Sequence, residues 1–160
     1  MPQFAKQTSV SVERTRAEIE TILTRYKSTG FAYARNDLTR MSQIEFVAHE
    51  RQIRFLLPMP DPKLKEFTHD KRGYLRKDGP RQEAYDQACR QRWRALKLAI
   101  TAKLEAVECG ISEFEAEFLA NIVDPVTKKT VGEVLRPQIA ASYHGKPQAL
   151  LLTHDSSEKA

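Results

Sequence analysis

Between residues 63 and 97 the chain gathers eleven cationic side chains: Lys63, Lys65, Lys71, Arg72, Arg76, Lys77, Arg81, Arg90, Arg92, Arg94 and Lys97. Five acids share the segment (Glu66, Asp70, Asp78, Glu83 and Asp86), which leaves it at +6. The rest of the chain holds fifteen basic and sixteen acidic groups, so the overall +5 is the charge of one segment on a nearly neutral body. Charge concentrated in this way raises the local potential and favours polyanions, nucleic acid first and acidic headgroups second. Phe67 and Tyr74 stand among the first six cations. Cations for phosphates beside aromatics for bases are the combination used by single-strand binders. A basic loop also orders itself on a duplex through phosphate contacts that carry no sequence preference. The plainer readings are a solvated face kept for solubility and two aromatic anchors that pin the loop to the core.

Downstream, Arg90, Arg94 and Lys97 fall at i, i+4 and i+7, which predicts a cationic ridge on one helix face, with Arg92 turned away from it. Trp93 belongs to an apolar stripe and is expected in the core. The candidate nucleic-acid-binding set is therefore Lys63, Lys65, Lys71, Arg72, Arg76, Lys77, Arg81, Arg90, Arg94 and Lys97, with Phe67 and Tyr74 as stacking groups.

No comparable pattern supports catalysis. His49, His69, His144 and His154 are dispersed and form no H-x-H or H-E-x-x-H pair; His69, beside Asp70, is the one candidate for a metal or general-base role. Phosphate-cradling and nucleophile-elbow motifs are missing, and six glycines leave little room for the former. Cys89 and Cys109 are twenty residues apart on one expected helix, about 30 Å at the standard rise, far beyond disulfide reach. The expectation is a chain with no catalytic residue, metal or cofactor. No apolar run approaches the roughly 18 residues of a membrane span, and Met1-Pro2-Gln3-Phe4-Ala5-Lys6 lacks the apolar stretch of a secretory signal. Free thiols and the missing signal point to the cytoplasm.

The elements that must position the basic segment follow from hydrophobic period. Ser11 caps a helix over 12–28 with Ile19, Ile22, Leu23 and Tyr26 on one face and Gly30 as its left-handed stop. Period-two alternation predicts strands at 31–35, 41–48 and 52–57, an antiparallel meander whose second turn is His49-Glu50. Pro58, Pro60 and Pro62 end the third strand, and 58–79 is read as a long basic loop with no helical or strand period. Asp78-Gly79-Pro80 opens the longest helix, to about Cys109, whose stripe of Cys89, Trp93, Leu96, Ile100, Leu104 and Val107 covers the sheet. Two capping boxes, Ser112 to Glu115 and Thr130 to Glu133, open short C-terminal helices that turn Phe114, Phe118 and Leu119, then Val134, Leu135, Ile139 and Tyr143, inward, the last helix kinked or split near Pro137. The predicted fold is α+β: an N-terminal helix, a three-stranded antiparallel meander, a long basic loop, a long helix packed on the sheet, and a helical C-terminal part. One domain is expected over 1–145, with 146–160 as a flexible tail carrying Leu150-Leu151-Leu152.

The run Arg90-Gln91-Arg92-Trp93-Arg94-Ala95-Leu96, continued by Ala102-Lys103-Leu104-Glu105-Ala106-Val107-Glu108, resembles a family of small uncharacterised proteins from phages, prophages and plasmids. Gly110-Ile111-Ser112, Glu117-Phe118-Leu119-Ala120, Val131-Gly132-Glu133, Thr8-Ser9-Val10-Ser11-Val12-Glu13 and Ile53-Arg54-Phe55-Leu56-Leu57-Pro58 are similar too, so the resemblance spans nearly the whole chain. It implies a mobile-element setting and a cytoplasmic location, and carries over no catalytic residue because the family has no established activity. Three strands followed by a long helix is also similar in topology to the core of single-strand annealing recombinases, a fold-level analogy. The expected partner is nucleic acid, DNA ahead of RNA, with a protein partner or a homo-oligomer as further expectations and no membrane. The alternative from another class is a protein-binding module that modulates a host or phage complex, such as a counter-defence inhibitor.

Overall fold

Helix α1 (Val12–Arg25) starts where Ser11 Oγ accepts the Arg14 N–H, and it buries Thr15, Ile19 and Leu23. It ends earlier than its apolar period suggests: Lys27 takes the left-handed turn at φ 61°, and Gly30 already belongs to the first strand. The computed structural model describes residues 4–145.

Strands β1 (Gly30–Asn36), β2 (Met41–Ala48) and β3 (Arg51–Pro58) form an antiparallel sheet in the order β1-β2-β3. The register pairs Tyr33 with Ile44 and Ile44 with Phe55, so every second residue of each strand faces one side. The β2–β3 turn is two residues long, with His49 at φ 49° and Glu50 at φ 59°. Both positions of such a turn demand the left-handed region, and here two residues with side chains adopt it. On the far face Glu45 accepts from Arg54 Nε (2.5 Å) and Gln52 Nε2 (2.8 Å), an ion pair that straps β2 to β3.

One-turn helix α2 (Lys65–Thr68) precedes α3 (Asp78–Glu108), the longest element. Cys89, Trp93, Leu96, Ile100 and Leu104 of α3 are buried in one stripe, with Val107 partly buried at its end. They share a core with Ile19 and Leu23 of α1 and with Ile44, Phe46, Ile53 and Phe55 of the sheet. Trp93, 1% exposed, packs against the Tyr33 ring at 5.5 Å. Gly110, at φ 70°, turns the chain out of α3.

Helix α4 (Phe114–Phe118) sends Phe114 and Phe118 into the same core. The Ser112 capping box does not form: Ser112 Oγ donates to the Glu113 carbonyl, and α4 begins at Phe114 without a side-chain cap. The following 3-10 turn (Leu119–Asn121) rotates Leu119 outward, contrary to its expected burial. Val123 N–H then bonds the Gln52 carbonyl, so this segment shields part of the β3 edge. The Thr130–Glu133 box does form and opens α5 (Val131–Tyr143), which runs through Pro137 as one element. Its backbone bond from the Thr130 N–H is the chief reason the Glu133 carboxyl is held below its usual range. A Cβ on Gly132 would meet the Ala120 carbonyl oxygen at 2.8 Å, so only glycine allows this approach. Helix α5 buries no residue completely; Val134 and Leu135 are half-buried, and Ile139 and Tyr143 lie exposed instead of inward. The fold is α+β. His154 and Leu150-Leu151-Leu152 lie outside the described residues.

Candidate nucleic-acid interface

The segment between β3 and α3 carries no hydrophobic period, yet it is built. Asp61 Oδ1 accepts the Lys63 N–H at 3.0 Å while its Oδ2 pairs with Arg40 Nη1 at 3.0 Å, which ties the segment to the β1–β2 turn. Helix α2 then drops Phe67 (5% exposed) edge-on against the Tyr85 ring of α3, with centroids 5.8 Å apart. Residues 69–75 fold into a miniature hairpin. Asp70 Oδ1 accepts the Arg72 and Tyr74 N–H groups at 2.8 and 2.9 Å, and Gly73 reverses the chain at φ 85°. His69 and Leu75 form its bridge, and Arg76 closes it by donating its N–H to the Thr68 carbonyl and its Nε–H to the His69 carbonyl, each at 2.8 Å. Side-chain-to-backbone bonds of this kind leave no periodic trace, which is why the sequence reads as a featureless loop.

This scaffold divides the candidate residues into two groups. Lys63, Lys65, Lys71, Arg72, Lys77 and Arg81 are exposed, and none of the six forms an ion pair among the described residues. Arg76 is half-buried and works as a clasp for the hairpin. At the hairpin's end Tyr74 is 71% and Leu75 76% exposed, two apolar groups among cations. Phe67 is the anchor of the pair and is not available for stacking; Tyr74 is. Leu75 was not singled out by charge or period, because its type alone suggests burial.

The ridge on α3 is not free. Arg90 Nη2 bonds Glu83 Oε1 at 2.5 Å, and its Nε bonds Gln87 Oε1 at 3.1 Å. Arg94 Nη1 and Lys97 Nζ converge on Glu18 Oε2 of α1 at 2.5 and 2.6 Å. The hydrogen bond from Lys97, followed by that from Arg94, lowers the Glu18 pKa to about 2. Arg92, off the ridge as expected, donates from Nη1 to the Pro58 carbonyl. Arg94 and Lys97 cross-link α3 to α1, Arg92 ties α3 to β3, and Arg90 is paired within α3. The expected ridge of Arg90, Arg94 and Lys97 is thereby corrected to an internal set of ion pairs. Local spacing could not show the Arg94 and Lys97 pairs, because Glu18 lies more than seventy residues upstream.

Among the described residues, the other reactive groups assemble no site. His69 Nδ1 lies 2.8 Å from Thr68 Oγ1, and Asp70 is occupied by backbone N–H groups. Among the described residues no three His, Cys, Asp or Glu side chains gather as a metal site. Cys89 is buried, and burial pushes its thiol pKa up, away from nucleophilic use; Cys109 is exposed, and both are free. No helix among the described residues is long and apolar enough to cross a membrane. No protein-family model, curated protein or solved structure matches the chain.

Proposed function

We propose that the chain is a non-enzymatic nucleic-acid-binding accessory protein of a phage or mobile element, acting in the cytoplasm on DNA in recombination or a related process. The observation that supports this reading is the set of six exposed cations, without ion pairs among the described residues, on and flanking the hairpin that presents Tyr74. Lys63, Lys65, Lys71, Arg72, Lys77 and Arg81 meet phosphates, and Tyr74 stacks on an unpaired base. The test is fluorescence anisotropy with labelled single- and double-stranded oligonucleotides at ~50 and ~200 mM salt. Six phosphate contacts predict a loss of affinity on the order of 10³-fold for a duplex over that range and somewhat less for a single strand. Micromolar protein that binds neither form at ~50 mM salt overturns the proposal.

Exposed Leu75 beside Tyr74 favours a second reading, in which the hairpin docks on an acidic host or phage protein and modulates its complex. A partner retained from nuclease-treated lysate by the wild type and lost by Leu75→Glu supports that reading over the first.

A further inference from the structure

The start of α1, the β1–β2 turn, the exit of β3 and the first turns of α3 line an open cavity of about 580 Å³ beside the basic segment. Its size is that of an ordinary small-molecule site. Ser42, 1% exposed, lies on its lining, in phase with the core residues Ile44, Phe46 and Ala48 of β2. Its hydroxyl has no hydrogen-bond partner among the described residues. Buried polar groups are almost always paired, and an unpaired hydroxyl sealed just behind the wall of a cavity is one that a ligand satisfies by displacing the groups that cover it. Next to it stand Tyr33, Trp93 and Tyr85, three aromatic rings of which the two tyrosines are half-buried. One Tyr33 face is already covered by the Arg16 guanidinium at 3.6 Å, which leaves the part of the half-buried Tyr85 ring not met by Phe67 as the surface for stacking.

The charges on the wall decide the class of ligand. Arg35 pairs with Asp37 at 2.7 Å and Arg40 with Asp61 at 3.0 Å, so two of the cations are neutralised where they stand. What remains is Glu13 and Asp86 against Lys63. Such a lining disfavours a phosphate inside. It suits a flat neutral group that stacks on a ring, donates hydrogen bonds to carboxylates and pairs with a hydroxyl. A nucleobase bearing an exocyclic amino group has all three properties.

We propose that this cavity takes one unstacked amino-bearing base (adenine, cytosine or guanine) of a bound strand, with the backbone outside at Lys63. The assignment rests on the nucleic-acid reading above. Lys63 is its hinge, because it belongs both to the cavity wall and to the set of exposed cations.

Nucleosides test the cavity without the phosphate surface. Trp93 is the chain's single tryptophan and lines the cavity, so its emission reports occupancy. Adenosine and cytidine are expected to change that emission saturably at millimolar concentrations, with uridine, which lacks the amino group, at least about fivefold weaker. Ser42→Ala should weaken adenosine or cytidine about fivefold to tenfold while raising Tm, since it removes the orphan hydroxyl. No saturable response to any nucleoside, or an undiminished response in Ser42→Ala, overturns the assignment. Oligonucleotide anisotropy separates the two proposals. Strands that bind while nucleosides leave Trp93 unmoved overturn the cavity alone. Nucleosides that bind while strands do not overturn the surface reading and, with it, the placement of a strand's base.

Discussion

The two parts of the basic segment are both rich in cations and have opposite fates. In residues 63–81 six cations point into solvent from a hairpin, a one-turn helix and the start of α3. In residues 90–97 Arg90, Arg94 and Lys97 are each engaged by a carboxylate, and the last two share Glu18 of a different helix. Charge density along a chain therefore does not measure charge available to a ligand. An ion pair within the protein must be broken or shared before a phosphate can use it. The first half is accordingly read as surface for a partner and the second as a cross-link between α1 and α3.

The comparison can be broken at several points. The largest effect is expected inside the first half, where Phe67 and Tyr74 divide the work. Phe67→Ala removes the buried ring that docks α2 on Tyr85 and should cost about 3–4 kcal/mol of stability in denaturant titration. Next comes the triple reversal Lys71→Glu, Arg72→Glu and Lys77→Glu, which should weaken oligonucleotide binding by roughly 100-fold, about 2.7 kcal/mol, with Tm unchanged. Tyr74→Ala should lose about 1–2 kcal/mol of single-strand affinity and leave duplex binding and Tm as they were. A Tyr74→Ala variant that lowers Tm instead would make Tyr74 a second anchor and leave the hairpin with no stacking group.

The second half is probed through Glu18, with smaller effects. Glu18→Gln should cost about 1 kcal/mol of stability, since its pairs are partly exposed, and should raise oligonucleotide affinity a few-fold by releasing Arg94 and Lys97. The pH dependence has a definite sign. The Glu18 pKa falls from 4.5 to about 2 on folding, so its contribution is present above pH 4.5 and is lost as pH drops from there toward 2. Stability measured across that window should fall more steeply for the wild type than for Glu18→Gln.

Much of the scaffold was legible because it rests on local rules. The alternation of Ile44, Phe46 and Ala48, and of Ile53 and Phe55, sets the sheet's phase, and the Cys89-to-Leu104 stripe sets the covering face of α3. Ser11 and Thr130 cap as their types suggest. The misses are places where a local rule met a non-local contact. Ser112 has the type of a cap, but α4 begins two residues beyond it. Ile139 and Tyr143 have inward spacing, yet α5 meets its neighbour at its first turn, where Gly132 lies against Ala120. The hairpin of 69–75 is built by Asp70 and Arg76, whose bonds have no period to read. Ser42 sat in the core phase of β2, but only the fold shows that its hydroxyl is unpartnered beside a cavity. The cations at 63–81 were identifiable by type; that Arg94 and Lys97 are engaged depends on where Glu18 falls in three dimensions.

The central claim is that the free half alone carries binding, and the slope of log K against log salt tests it most directly. Wild type and the double variant Arg94→Ala, Lys97→Ala should show the same slope for a labelled duplex, that of about six phosphate contacts. The triple reversal at Lys71, Arg72 and Lys77 should lower that slope by about three contacts. A double variant whose slope falls by about two contacts, with the triple reversal left at the wild-type slope, would contradict the account and move the interface to the ridge of α3.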